Sequence, residues 1–263
     1  MIPEFNFFLE RFNAYVNSTG KHDDFVQEHL DLKVQHTFRV VNNIRKISVE
    51  SGLSEEQIKL AELIALVHDI GRFEQFIKYQ TFDDRVSVNH AELGIQIMDK
   101  IQLLKELAES DRKIIYGAVI NHNVQKLNPS HDNQILHYAR LIRDADKTDI
   151  WYILTLRDVV NVILEKSNEP DSYKVPQYIS DSFRKGEIVP DAVTMNDYRL
   201  LRLSWIYDMN FPATFSLILR RGYLPQILAK IPDSSEKQEI ADIIGNYMNS
   251  RAVMHYDASH LSI

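Results

Sequence analysis

Apolar residues recur at intervals of three and four along most of the chain, the spacing of one face of an α-helix. In the first such stretch Phe5, Phe8 and Phe12 share a face, and the pattern stops at Gly20. The same spacing, bounded by glycine or by short polar residues, predicts a succession of helices. We expect them over residues 4–16, 32–50 and 58–68, and from about residues 88, 110 and 133 onward.

The helix predicted over residues 58–68 is apolar on nearly every side, unlike the others. Ser54 and Gln57 precede it at the spacing of a capping box, in which each side chain bonds the other residue's backbone N–H. A helix without a polar face belongs at the centre of a helical bundle. It ends at His68-Asp69-Ile70-Gly71, where the glycine suits a left-handed helix cap.

Two stretches lack clear periodicity. Residues 72–87 are rich in aromatic residues and predict an ordered loop with a short helix, followed by helices that Ser87 and Ser110 would cap. Residues 166–198 contain three prolines and favour a lid or an insertion. The helix before that stretch is expected to continue towards Leu164, and helical spacing returns after it.

Composition supports an all-α fold, because 8 glycines and 8 prolines among 263 residues leave few tight turns. No repeat or flexible linker divides the chain. We therefore predict a single helical domain over residues 1–263, with a bundle core at about residues 30–150 and a C-terminal helical extension at about residues 165–263.

The formal net charge is −7 with both signs interspersed, which disfavours duplex nucleic acid as a partner. The absence of cysteine excludes disulfides, thiolate metal sites and cysteine nucleophiles. The first residues lack the flank of a signal peptide, and no apolar run approaches the ~20 residues that span a bilayer. We expect a cytoplasmic protein that does not enter membranes, and a homo-oligomer is possible.

Five polar residues fall on positions that the pattern assigns to the core: His36, His68, His90, His122 and Asp146. Burying an uncompensated carboxylate is costly, and a divalent cation explains such a set because imidazoles and carboxylates bind Mn, Fe, Co, Ni or Zn. Taken singly, a histidine on an apolar face is more often a satisfied core residue. The other histidines are expected on the surface or at helix ends: His22, His29, His131, His137, His255 and His260.

The order of these residues resembles the pattern of the HD superfamily of metal-dependent phosphohydrolases. That pattern has a histidine, a His-Asp pair and a later aspartate, here His36, His68-Asp69 and Asp146. The surrounding segments VQHTFRV, ALVHDIGRF and RDADKTD resemble its motifs. The resemblance covers about residues 30–150 and implies an HD-domain helical bundle in which these four residues hold a metal.

His90 in SVNHAELG and His122 in VINHN occupy the places of further histidines in members with a two-metal centre, such as HD-GYP phosphodiesterases. The resemblance thus implies a second metal, with Asp69 as the bridge. No Gly-Tyr-Pro signature follows the His-Asp pair, so a cyclic-dinucleotide substrate is not implied. In a one-metal site the two histidines would instead hydrogen-bond a substrate phosphate.

The resemblance implies hydrolysis of a phosphomonoester, phosphodiester or phosphoanhydride bond in a small, nucleotide-like substrate by a metal-activated water. His68 and Asp69 would be catalytic, with one or two ions of Mn, Fe, Co, Ni, Zn or Mg as cofactor. Arg72, Lys147 and Arg39 lie close to the motifs and are expected to bind the substrate phosphate. Each could equally be an exposed, solvated charge.

Two other functions stay open. A non-catalytic signalling domain would bind a ligand or partner, but such members usually lose the metal ligands. A di-iron oxygenase on the same scaffold needs the full ligand set, including His90 and His122. Four aromatic residues could stack on a nucleobase, although core packing is favoured for them: Phe73, Phe76, Tyr79 and Phe82.

Overall fold

A computed structural model of the chain describes residues 3–130, 132–156 and 173–256, with side chains to residue 252. Every regular element in these residues is an α-helix or a 3₁₀ turn, which confirms the all-α prediction. The chain divides into two compact units, Met1–Asp146 and Lys147–Ile263. Among the described helices, none is both long and apolar enough to cross a membrane.

Six helices and the first part of a seventh build the first unit. They are α1 (Phe5–Ser18), α2 (Asp24–Glu50), α3 (Glu55–Val67), α4 (Gly71–Tyr79), α5 (His90–Lys100), α6 (Glu109–His122) and α7 (Asn133–Thr155). Helix α3 packs against α1, α2 and α6, and its side chains from Leu63 to Val67 are at most 1% exposed. The most apolar segment of the sequence therefore forms the centre of this unit, as predicted.

The capping box before α3 is confirmed. The Ser54 backbone N–H donates to Gln57 Oε1 at 2.9 Å, and the Gln57 backbone N–H donates to Ser54 Oγ at 3.4 Å. Gly20 and Gly52 follow α1 and α2 with φ of +91° and +73°, a conformation that glycine adopts without strain. These local signals end or start the helices where the sequence places them.

Helix α2 begins well before Leu32, so its predicted start was wrong. Asp23 caps it, with Oδ1 accepting the backbone N–H of Val26 at 2.9 Å. Val26 and Leu30 are buried on the added turns. The polar stretch before residue 25 supplies the cap of a helix rather than a loop.

The predicted caps of α5 and α6 were also wrong. Asn89 caps α5, with Oδ1 accepting the backbone N–H of Ala91 at 3.0 Å. Ser87 instead donates from its hydroxyl to the carbonyl of Asp83 at 2.7 Å within the preceding loop. Helix α6 starts at Glu109, one residue before Ser110, and no side chain caps it.

Gly71 does not form a left-handed cap, contrary to the prediction, since its φ is not positive. It is the first residue of α4. A Cβ atom there would lie 2.1 Å from the His90 carbonyl oxygen and 2.7 Å from the Gly94 backbone nitrogen. The glycine is required by the close packing of α4 on the start of α5.

The second unit contains the end of α7 and the helices α8 (Gln177–Lys185), α9 (Met195–Ser204), α10 (Pro212–Arg221), α11 (Tyr223–Leu228) and α12 (Ser235–Tyr256), with a 3₁₀ turn at Trp205–Asp208. Trp151, Phe183 and Phe215 are buried in its core. Part of the stretch 166–198 thus forms α8 and the start of α9 rather than irregular chain. The predicted course of α7 towards Leu164 lies outside the described residues.

Candidate metal centre

The structure brings together, within the first unit, the six residues predicted as metal ligands. They come from different helices: His36 from the middle of α2, His68 and Asp69 from the turn after α3, His90 from the start of α5, His122 from the end of α6 and Asp146 from α7. Five of the six residues are buried. Asp146 is the most exposed, with 21% of its side chain accessible.

Asp69 lies at the middle of this cluster. On one side, its Oδ2 is 3.5 Å from His36 Nε2 and 3.7 Å from His68 Nε2. On the other side, its Oδ1 is 3.3 Å from His90 Nε2 and 3.6 Å from His122 Nε2. The two carboxylate oxygens therefore face two separate sets of imidazole nitrogens.

Asp146 extends the first of these sets, because its Oδ1 lies 3.2 Å from His36 Nε2. Two groups of ligand atoms result, each compact enough for one ion: His36, His68 and Asp69, and Asp69, His90 and His122. Asp69 belongs to both groups.

Hydrogen bonds from Nδ1 fix the orientation of the His68, His90 and His122 rings. His68 Nδ1 donates to the carbonyl of Ala65 at 2.8 Å, and His122 Nδ1 donates to the carbonyl of Val119 at 2.6 Å. His90 Nδ1 donates to Asp84 Oδ2 at 2.6 Å. A carbonyl or carboxylate oxygen only accepts, so the proton of each neutral ring is on Nδ1 and the Nε2 lone pair points inward.

A divalent cation fits these lone pairs. His68 Nε2 is buried and has no hydrogen-bond partner within the described residues. His90 Nε2 and His122 Nε2 lie 2.9 Å apart, so two lone pairs would face each other without a positive charge between them. Two nitrogen ligands at right angles, each about 2.1 Å from one ion, are separated by about 3 Å.

The protonation states also suit a metal. Burial lowers the pKa of His68 to about 4 and lowers that of His122, so both rings are neutral near pH 7. Burial alone would raise the pKa of Asp69, but Lys33 and the neighbouring histidines hold it well below its usual value. Asp146 follows the same pattern, with the hydrogen bond from His36 lowering its pKa. Neutral imidazoles and ionised carboxylates are the forms that bind metals.

Residues 34–151, which contain all six of these side chains, match the family model for the HD domain. The chain carries an HD domain. The resemblance drawn from the His-Asp pair and its flanking motifs is thereby confirmed, and the helices that hold the cluster belong to that domain.

The chain is also similar in sequence to a curated protein. This is the bifunctional uridylyltransferase/uridylyl-removing enzyme of Pseudomonas fluorescens, which is 24% identical over 174 residues. The match covers 60% of this chain but spans only 17% of that enzyme's length. No solved structure matches the chain.

Arg72 and Lys147, both predicted to bind substrate, each pair with an aspartate. Arg72 Nη1 lies 2.7 Å from Asp84 Oδ1, beside the group formed by Asp69, His90 and His122. Lys147 Nζ lies 2.7 Å from Asp208 Oδ2 in the second unit, and its side chain is buried. Arg39 is half-buried on α2, three residues after His36.

Polar residues that were not predicted from the sequence also contact the six clustered side chains. Lys33 places its Nζ 2.8 Å from Asp69 Oδ2 and 5.0 Å from the centre of the Phe82 ring. Asp84 accepts the hydrogen bond from His90 Nδ1. Arg143 is 4% exposed and donates to the carbonyls of His122 and Val124 at 3.1 and 2.5 Å.

A weak sequence signal existed for two of these residues. Lys33 and Arg143 stand three residues before His36 and Asp146, so each shares a helix face with a predicted ligand. Asp84 has no such signal, because the conformation of the loop before α5 determines which residue it meets.

The aromatic residues mostly pack in the core, as predicted. Phe73 and Phe76 are 0% and 2% exposed, whereas Tyr79 is exposed. His29 is a correction among the remaining histidines, because it is buried and its ring stacks on Phe76 with centroids 4.4 Å apart. The predictions for His131, His255 and His260 lie outside the described side chains.

Proposed function

We propose that this chain is a metal-dependent phosphohydrolase that cleaves a phosphate ester or anhydride bond in a small, nucleotide-like molecule. The observation that carries the proposal is the convergence of four imidazole rings and two carboxylates on one buried cluster inside an HD domain. The relative's name includes a uridylyl-removing activity. A nucleotidyl phosphate is the kind of group that this chemistry would release.

Under this proposal His36, His68, Asp69 and Asp146 hold one cation, and Asp69, His90 and His122 hold a second. Bound divalent ions polarise a phosphoryl oxygen and make water a stronger nucleophile at neutral pH. The chain's own contribution is to keep the His68 and His122 rings neutral, to aim the histidine Nε2 atoms at Asp69 and to exclude most solvent.

Lys33 is the basic residue best placed to bind a substrate phosphate. Its ammonium group carries three N–H donors, and one of them is directed at Asp69 Oδ2. The Lys33 side chain is 19% exposed on the same side of Asp69 as His36. Since Asp146, also near His36, is the most exposed ligand, we expect substrate to approach from this side.

Removing one ligand tests the proposal. We expect His68→Ala and Asp69→Ala each to lower metal content and turnover at least about a hundredfold, because even residues that only support a ligand account for ten- to hundredfold effects. The measurement combines elemental analysis of the purified protein with phosphate release from a panel of phosphorylated metabolites and cyclic nucleotides, each with Mn²⁺, Fe²⁺, Co²⁺, Ni²⁺, Zn²⁺ or Mg²⁺.

His137→Ala is the matched control, since this half-buried histidine of α7 is not one of the six residues. It should retain wild-type metal content and turnover. Full activity in His68→Ala or Asp69→Ala would remove the proposed centre. Bound metal without turnover on any substrate would favour the non-catalytic ligand-binding alternative.

The convergence of His90 and His122 with the other four residues also meets the ligand requirement of a di-iron oxygenase. A phosphohydrolase consumes water and a phosphorylated substrate, whereas an oxygenase consumes molecular oxygen. An iron-loaded protein whose absorption spectrum changes on exposure to oxygen, and which releases no phosphate from any substrate, would favour the oxygenase.

A further inference from the structure

We propose that Asp84 is a positioning residue that determines whether a metal occupies the half of the centre formed by Asp69, His90 and His122. This inference rests on the proposed metal centre and extends it to a residue outside the ligand set. Asp84 lies in the loop between α4 and α5, and its contacts with His90, Arg72 and Gln75 carry the inference.

The position of His90 in its helix creates the need for such a residue. His68 and His122 lie at the ends of α3 and α6, so each Nδ1–H can donate to a carbonyl three residues earlier. His90 is the first residue of α5, and no preceding turn of that helix offers a carbonyl. An acceptor from elsewhere must hold the ring, and Asp84 Oδ2 does so at 2.6 Å.

Asp84 is itself fixed by donors from two other parts of the domain. Arg72 Nη1 and Gln75 Nε2, both on α4, donate to Asp84 Oδ1 at 2.7 and 2.9 Å. Asn123, just after α6, donates from Nδ2 to Asp84 Oδ2 at 3.1 Å. The carboxylate therefore has partners on both oxygens and is held in one orientation towards His90.

Gln75 anchors this network in the core. Its side chain is completely buried, and its Nε2 also lies 2.8 Å from Ser87 Oγ and 3.0 Å from the carbonyl oxygen of Val88. These contacts hold the two residues that precede Asn89, the cap of α5. The loop between α4 and α5 is thereby attached to α4 just before His90, the first residue of α5.

The network gives Arg72 a different role from the predicted phosphate contact. Its Nη1 donates to Gln75 Oε1 and to the Phe82 carbonyl at 2.8 and 2.6 Å, besides Asp84. Its Nε lies 3.6 Å from Asp69 Oδ1. Arg72 thus joins the carboxylate that orients His90 to the carboxylate shared by both halves of the centre.

A carboxylate that accepts the second N–H of a ligand histidine fixes its tautomer and makes it a better ligand, and loss of such a partner weakens metal affinity by about ten- to a hundredfold. Only His90 among the oriented histidines depends on Asp84. Loss of Asp84 should therefore affect the Asp69–His90–His122 half and spare the half that contains His36, His68 and Asp146.

The test counts metal ions in the full-length protein. Metal-free wild type, Asp84→Asn and the control Asp83→Asn are equilibrated with Mn²⁺ by dialysis, and bound Mn²⁺ is measured by elemental analysis across a concentration series. Asp83 is a matched control, because it is the neighbouring carboxylate and pairs with the exposed Arg85 at 2.7 Å.

We expect two Mn²⁺ per chain in wild type and in Asp83→Asn. In Asp84→Asn one Mn²⁺ should remain at wild-type affinity, and the second should bind about ten- to a hundredfold more weakly. Asp84→Glu, which keeps the carboxylate, should restore part of the second affinity. Asp84→Glu also distinguishes the inference from a folding defect. If the loop needed only the exact shape of Asp84, the longer glutamate would restore none of the second Mn²⁺ affinity.

Two sites of unchanged affinity in Asp84→Asn would overturn the inference, and so would equal weakening of both sites. A wild type that binds only one Mn²⁺ would also overturn it, while leaving a one-metal phosphohydrolase intact. If the metal counts follow the expectation but no substrate releases phosphate, the inference stands and the proposed reaction fails.

Discussion

Lys33 brings a positive charge to the side of Asp69 where Oδ2 faces His36 and His68. Its Nζ contacts Asp69 Oδ2, and the face of Phe82 lies beneath it. A lysine on a helix is usually solvated, so its spacing from His36 is only a weak indication of this contact. In the folded domain the same side chain can reach both Asp69 and an incoming anion.

We predict that Lys33→Met raises KM, and raises the inhibition constant of inorganic phosphate, by about ten- to a hundredfold, the loss expected for a hydrogen bond to a charged group. Metal content should stay at the wild-type level, because Lys33 is not a ligand. Lys46→Met, on the exposed face of the same helix, serves as the control and should change neither constant. Unchanged phosphate inhibition in Lys33→Met would exclude the assigned role.

Helix α4 lies against α5 at Gly71 and Gly94, and Gly71 is the glycine that this close approach requires. A Cβ atom on Gly94 would meet Gly71 N at 3.4 Å, and one on Gly71 would meet backbone atoms of His90 and Gly94 at distances that no side chain tolerates. This approach sets the separation between Asp69, two residues before Gly71, and the ring of His90. Packing of two backbones thus controls the geometry of the ligands.

Gly71→Ala should therefore destabilise the protein by about 2 kcal/mol or more, since the helices must move apart. The matched substitution is Gly245→Ala in α12, where an added Cβ meets nothing within 4 Å. It should stabilise the protein by about 0.5–1 kcal/mol through the better helix propensity of alanine. Urea denaturation of both variants measures the difference, and equal free energies of unfolding would contradict the packing explanation.

Helical periodicity predicts most of these elements, because each helix buries an apolar face and that requirement is visible in the sequence. Helix starts are predicted less well, because several short polar residues near a helix start could each act as its N-cap. Ser87 has the right chemistry for α5, yet it is used within its loop, and Asn89 caps the helix. Residues that bind through loops, such as Asp84, depend on the tertiary structure and leave no periodic signal.

At the scale of the whole molecule, the centre gathers side chains from positions 36 to 146 of the chain. The HD pattern predicts this convergence, because it specifies ligands in a fixed order along the sequence. A cation bound by all of them would connect helices that are far apart in sequence. Binding to the folded state alone adds stability by mass action.

We predict that saturating Mn²⁺, at about a hundred times its dissociation constant, stabilises the protein by about 2.7 kcal/mol for each ion bound, and that EDTA removes this gain. For a chain of this size the corresponding rise in Tm is about 5–10 °C for each ion. Differential scanning calorimetry with and without Mn²⁺ measures it. Asp69→Ala should show no metal-dependent shift, and a shift as large as in wild type would mean that the ion binds elsewhere.

Helix α7 contacts both halves of the proposed centre, one through Asp146 and the other through Arg143. Arg143 stands three residues before the proposed ligand Asp146, and it donates to the carbonyl of His122 at the end of α6. Lysine at this position would keep the charge but would replace the rigid guanidinium, whose Nη1 faces the carbonyls of His122 and Val124, with a flexible ammonium. Among homologous chains, we therefore expect position 143 to vary together with position 122, so that lineages which give up the arginine also give up the histidine and retain a single ion.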